Sequence, residues 1–193
     1  IMIVGSKFDD DTATNAGAVF VFTRSGTTWT QAAKLQASDI EASDRFGSSC
    51  SISGDGNYIV VGAPYEDTGG ASRGKVYIFY SSNSGASWSQ QASFQANDIG
   101  DSDKFGQTVV IDTDGNTVAI SSDDTTARCV YVFTRSGTSW SQQAKLVSSD
   151  LVSGDKFGNE VAIHNDTIVA GAMLRDEGGT LNTGAAYVFT RSG

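Results

Sequence analysis

The chain has 193 residues, 22 Asp and Glu against 13 Lys and Arg, and a formal charge of −9, with an isoelectric point near 4.4. An acidic surface repels the phosphates of nucleic acids and of anionic lipids, so neither is expected as a partner, whereas cations or a basic partner suit it. There are 22 Gly and one Pro, no run of 18 apolar residues and no sustained helical period, so the composition predicts an all-β chain without a membrane span.

The chain begins Ile1-Met2-Ile3-Val4-Gly5, which matches the middle of a later segment, Thr167-Ile168-Val169-Ala170-Gly171, so it is expected to open inside a repeat. An aromatic strand follows, Val19-Phe20-Val21-Phe22, then the turn Thr23 to Thr28 and Trp29. From Phe46 a full unit reads as four strands: Phe46 to Ile52, Tyr58 to Ala63, Lys75 to Tyr80 and Trp88 to Phe94. The first two are joined by Ser53-Gly54-Asp55-Gly56-Asn57, where Asp-Gly between apolar runs signals a hairpin.

The unit then returns. Phe46-Gly47 recurs as Phe105-Gly106 and Phe157-Gly158, at intervals of 59 and 52 residues, and Trp29, Trp88 and Trp140 keep the same two intervals. The aromatic strand recurs as Val76-Tyr77-Ile78-Phe79, Val130-Tyr131-Val132-Phe133 and Ala186-Tyr187-Val188-Phe189. A period of this length with several short strands in it predicts a β-propeller of four-stranded antiparallel blades. By repeat, the chain divides into a partial unit 1–24, units at about 25–80 and 81–135, and a partial unit 136–193; by strand it divides as three, four, four and three, fourteen in all. About three and a half blades are therefore expected, as part of a larger propeller.

Cys50 takes the place of Val109 and Val161 and reads as a small buried hydrophobe, while Cys129 aligns with Ala18, Lys75 and Ala185 in a different strand of another repeat. The two are not expected to be bridged, since a disulfide needs Cα atoms within about 7 Å.

Phe46-Gly47 followed by Gly62-Ala63-Pro64 resembles the FG-GAP repeat of the integrin α-subunit β-propeller, and the later copies keep Phe105-Gly106 and Phe157-Gly158 while Gly-Ala-Pro gives way to Ser121-Ser122-Asp123 and Gly171-Ala172-Met173. The resemblance implies a propeller of the seven-bladed type in an extracellular or cell-surface protein that binds other macromolecules. It also implies calcium in the loop between the first two strands, in a pattern like Asp-x-Asp-x-Asp-Gly-x-x-Asp. Ser53 to Asn57 and Asp112 to Asn116 depart from that pattern and supply too few carboxylates for an ion that takes six to eight oxygens, so these loops read as plain hairpin turns.

In a meander the loops joining strands two and three fall on one side of the disc with those that join strand four to the next blade, and this side holds most of the acids. Asp44, Asp103 and Asp155, each ahead of a Phe-Gly pair, recur with Asp39, Asp98 and Asp150 in every copy, which points to loop capping through backbone hydrogen bonds. The loops between strands two and three differ between copies and are the better candidates for recognition. Their acids, Asp9, Asp10, Asp11, Glu66, Asp67, Asp123, Asp124, Asp176 and Glu177, are the candidate binding residues, with a divalent cation such as calcium as an optional bridge between loops.

No catalytic constellation is visible. The single histidine, His164, lies in a hairpin turn, which leaves no Ser-His-Asp triad and no histidine zinc site to assemble. The sequence is expected to be a non-enzymatic binding or adhesion module that engages a protein or glycan. Two alternatives are a structural subunit of an extracellular assembly, contacting neighbouring subunits, and an accessory domain of a secreted hydrolase.

Overall fold

A computed structural model describes residues 1–123, 128–152, 154–176 and 180–192. The strands are β1 (Met2–Ser6), β2 (Ala18–Ser25), β3 (Thr28–Leu35), β4 (Ser49–Ile52), β5 (Tyr58–Ala63), β6 (Lys75–Tyr80), β7 (Ser89–Phe94), β8 (Val109–Ile111), β9 (Thr117–Ser122), β10 (Cys129–Ser136), β11 (Ser139–Leu146), β12 (Phe157–His164), β13 (Thr167–Ala172) and β14 (Ala185–Thr190). They form four antiparallel meanders in chain order, of three, four, four and three strands. These sheets are the blades of a β-propeller-type fold.

Sheet boundaries fall one strand later than the repeat boundaries read from the sequence. Thr28–Leu35, which opens the unit 25–80, is the outer strand of the first sheet, and Ser139–Leu146 closes the third sheet where 136 was read as the start of a new unit. Repeat and sheet are thus offset by one strand, because repetition alone does not mark where one sheet ends. The Phe-Gly turn does, since it crosses from one blade to the next.

Three hydrophobic clusters lie between successive sheets and hold them face to face. β5 and β9 are buried along their whole lengths because each has a blade on both sides, whereas β13 alternates, with Ile168 and Ala170 buried and Val169 exposed. Each Phe-Gly phenylalanine is fully buried and meets the third strand of its own blade edge-on. Phe46 meets Tyr77 and Phe79 at 5.5 and 5.9 Å, Phe105 meets Tyr131 and Phe133 at 5.5 and 5.9 Å, and Phe157 meets Tyr187 and Phe189 at 5.5 and 6.1 Å. Such pairs add to area burial.

The glycine of Gly-Ala-Pro has a physical reason. A Cβ on Gly62 would stand 2.0 Å from the Gly106 carbonyl oxygen of the next blade, so the two motifs of the family interlock backbone to backbone. The loops are stitched in the same way. Ser43, Arg45 and Phe46 donate backbone N–H to Thr14, Asn15 and Ala16, and Ser102, Lys104 and Phe105 donate to Ala71, Ser72 and Arg73. The loop after strand two of one blade is thereby fixed against the Phe-Gly turn of the next. Cys50 is half-buried and Cys129 buried, in different clusters, and they are not bridged to each other.

Candidate functional site

The acids singled out in the sequence are engaged within their own blades. Lys34 bridges Asp9 at 2.7 Å and Asp11 at 2.5 Å, and Asp10 accepts the Asn15 amide at 2.6 Å. Asp123 pairs with Arg128 and, at 3.6 Å, with Lys104. Asp176 accepts the Asn182 amide at 2.8 Å, and Asp67 accepts the Ser72 amide at 2.5 Å. Asp124 and Glu177 lie outside the described residues. Among the described residues no group of three or more His, Cys, Asp or Glu is arranged to hold a metal ion.

The hairpin carboxylates are likewise taken up locally. Asp55 accepts Ser53 Oγ at 2.5 Å and the Asn57 amide at 3.0 Å, and Asp114 accepts the Asn116 amide at 2.9 Å. These are Asx-type turns. The carboxylates ahead of Phe-Gly act as loop caps. Asp44 accepts the Glu41 amide at 2.7 Å, Asp103 the Gly100 amide at 2.6 Å and Asp155 the Val152 amide at 2.9 Å.

One place departs from this local neutrality. Asp39, Glu41 and Asp44, from the loop between β3 and β4, meet Glu66, Asp67 and Thr68, from the loop between β5 and β6, around a cavity of about 200 Å³. The Tyr65 amide donates to the Asp44 carbonyl at 3.3 Å and holds the two loops together. Glu66 is 4% exposed and Asp44 3%, so two carboxylates are buried in the walls. Among the described residues Lys75 is the one base that pairs there, at 2.7 Å to Asp39 and 3.5 Å to Glu66. Glu66 also accepts the Thr68 amide at 3.0 Å and the Thr68 hydroxyl.

The electrostatics record the imbalance. Burial, together with the charges of Glu66, Glu41 and Asp67 and against the stabilising Glu41 amide, pushes the Asp44 carboxyl up to about 6. Burial also opposes ionisation of Asp39, but the hydrogen bond and charge of Lys75 outweigh it and hold that carboxyl below its ordinary range. Lys75 is itself raised, since the bonds and charges of Asp39 and Glu66 exceed the cost of burying it. The Tyr77 hydroxyl is buried and has no hydrogen bond of ordinary geometry among the described residues; burial first, then Asp39, Glu66 and Asp44, drives its ionisation far above the phenol range.

Glu66 and Asp67 were among the sequence candidates, while Asp39 and Asp44 were read there only as repeated loop residues. Their repetition is genuine, as the shared capping bonds show. What sets this copy apart is Glu41, where the other copies have Gly100 and Val152, and Glu66, whose counterpart in the last blade is Arg175. That second correspondence follows from the backbone: Glu66 and Arg175 donate their amides to Ala63 and Ala172 and accept those of Gly74 and Gly184.

The FG-GAP repeat profile matches residues 29–79, 88–133 and 140–189, and the chain belongs to that family. No curated protein sequence matches the chain. Among solved structures, a protein from Lactobacillus plantarum superposes with a TM-score of 0.60 at 14% identity, over 92% of this chain and 46% of that one. TolB from Acinetobacter baumannii gives a TM-score of 0.44 at 16% identity, over 93% and 39%. The chain spans less than half the length of either structure, and the first likeness speaks to the fold alone.

Proposed function

We propose that this FG-GAP domain is a non-enzymatic binding module of an extracellular or cell-surface protein, and that it engages a protein partner by seating a Lys or Arg side chain in the acidic pocket of the second blade. One observation carries the reading: five carboxylates, Asp39, Glu41, Asp44, Glu66 and Asp67, surround one small cavity with a single paired base. Burial and the charges of Glu66, Glu41 and Asp67 raise the Asp44 carboxyl in this cluster. A guanidinium or ammonium would relieve that repulsion while making charge-assisted hydrogen bonds to oxygens already fixed by backbone amides. The extracellular setting rests on the resemblance to integrin α propellers.

The test is a titration of the ¹⁵N-labelled chain with a short Arg-containing peptide and with its citrulline analogue. Amide shifts confined to Glu41, Thr68 and their neighbours, saturable with the Arg peptide and weakened by salt, support the pocket as the site. Equal, non-saturable shifts with both peptides would remove it.

A further inference from the structure

In the fourth blade an arginine of the chain itself sits among the groups that recur around the acidic cavity of the second. Arg175 Nε donates to the Tyr187 hydroxyl at 3.3 Å, and its Nη2 donates to Asp150 at 3.4 Å. Asp155 lies 3.8 Å from the same Nε. The Tyr187 hydroxyl donates in turn to Asp150 at 3.1 Å, so it accepts from a cation and donates to a carboxylate at once.

The second blade repeats three of these four groups. Tyr77 stands where Tyr187 stands on the third strand, Asp39 where Asp150 stands, and Asp44, with the same amide cap, where Asp155 stands. The guanidinium is the missing member, because Glu66 takes the place of Arg175. Its absence shows at the tyrosine. The Tyr77 side chain is fully buried, and its hydroxyl faces Asp39, with Glu66 and Asp44 beside it, yet it makes no hydrogen bond of ordinary geometry among the described residues. Lys75 does not stand in for the guanidinium. Its Nζ goes to Asp39 at 2.7 Å and to Glu66 and the Thr68 hydroxyl at 3.5 Å, and it meets Tyr77 only over the ring, 5.7 Å from the centroid. A point charge placed there answers Asp39 and leaves the hydroxyl without a donor.

We infer that the cavity is specific for a guanidinium, so that the side chain it takes from the partner is arginine and not lysine, and that Tyr77 is the residue that discriminates. This rests on the reading of the cavity as a site for a basic side chain. The arginine Nε donates to the Tyr77 oxygen while the terminal nitrogens meet Asp39 and Asp44, as Arg175 does within its own blade. A planar fork serves several acceptors at fixed angles, whereas an ammonium is a compact, strongly hydrated point charge. A buried polar group that only one of two ligands can satisfy favours that ligand, since the other leaves it unpaired.

The experiment titrates the full chain and its Tyr77→Phe variant with two short peptides that differ only in Arg or Lys, the Arg carrying ¹⁵N at Nε. The first blade has Phe20 at the Tyr77 position, so the variant keeps a ring the fold already uses. The wild-type chain should bind the Arg peptide about tenfold more tightly than the Lys peptide and shift its Nε–H resonance. Tyr77→Phe should lose that preference and most of the Nε–H shift while binding the Lys peptide as before. Equal binding of the two peptides by the wild-type chain, or a preference for Arg that Tyr77→Phe retains, would overturn the inference and leave the cavity a site for any basic side chain. Saturable binding of neither peptide would remove the cavity as a site, and the inference with it.

Discussion

The second and fourth blades build the same loop frame and wire it with opposite charge. In both, an Asp ahead of Phe-Gly caps the amide three residues before it, and a second Asp lies near the third-strand tyrosine, Asp39 with Tyr77 and Asp150 with Tyr187. In the fourth blade Arg175 reaches both carboxylates, Asp150 at 3.4 Å and Asp155 at 3.8 Å, and nothing at Val152 adds to the charge. In the second blade Glu66 stands at the Arg175 position and Glu41 at that of Val152, so the acids accumulate and Lys75, arriving from β6, answers only part of them. A repeated scaffold thus separates two kinds of acid: what both blades share caps the loop, and what one blade adds shifts the charge of the cavity beside it.

The largest expected effect tests the shared frame. Phe46→Ala and Phe157→Ala should each cost about 3–5 kcal/mol in urea unfolding, because each empties a fully buried ring position. A much smaller loss at Phe157 would mean that the fourth blade is not held as the second is, and the comparison would lapse. Next comes Lys75→Met, which leaves Glu66 buried without its base; about 2–3 kcal/mol should be lost at pH 7, and part of it regained at pH 5, where Asp44 is protonated and the cluster carries less charge. An equal loss at both pH values would show that Lys75 contributes packing rather than charge.

Asp44→Asn should act in the other direction. With the folded carboxyl at about 6, above its ordinary value near 4, the native state binds the extra proton in between. Asp44 therefore makes the protein lose stability as pH rises from about 4 to about 6. The Asn variant, which keeps an acceptor for the Glu41 amide, should show a flatter profile and about 1 kcal/mol more stability at pH 7. Glu66→Arg, which copies the wiring of the fourth blade, should flatten the profile as well and also abolish binding of the Arg peptide. The smallest effect is expected at the exposed Arg73–Asp101 pair, where Arg73→Gln should change stability by less than about 1 kcal/mol, since both side chains are well solvated.

The frame of this molecule was legible in its sequence, and the site only in part. Phe46, Phe105 and Phe157 and the Val-Tyr-Ile-Phe strands announce the blade and its strand count, because each is demanded by a contact that its copy makes, whereas of the three Trp residues only Trp88 and Trp140 pack against a core cluster and Trp29 is exposed. The strand division of three, four, four and three was legible too, whereas the residue bounds of the repeats leave Thr28–Leu35 in the following unit although it pairs with β2. The acidic loops could be counted but not connected. Glu66 and Arg175 each stand three residues past the Ala of Gly-Ala-Pro and Gly-Ala-Met, and the backbone hydrogen bonds confirm that they share one position, but the sequence does not tell which carboxylates each one reaches. The turn ahead of Phe-Gly shows the same limit: Arg45, Lys104 and Lys156 take positive φ of 56, 51 and 60°, a conformation imposed by crossing between blades that no residue preference foretells.

The most direct measurement is a ¹³C NMR titration of the Asp44 carboxyl, alone and with the Arg peptide bound. A pocket built to receive a basic side chain gives a midpoint of about 6 alone, falling toward the ordinary carboxylate range when the peptide supplies the missing charge. An ordinary midpoint in the free protein, or a midpoint of about 6 that saturating peptide leaves in place, would contradict it.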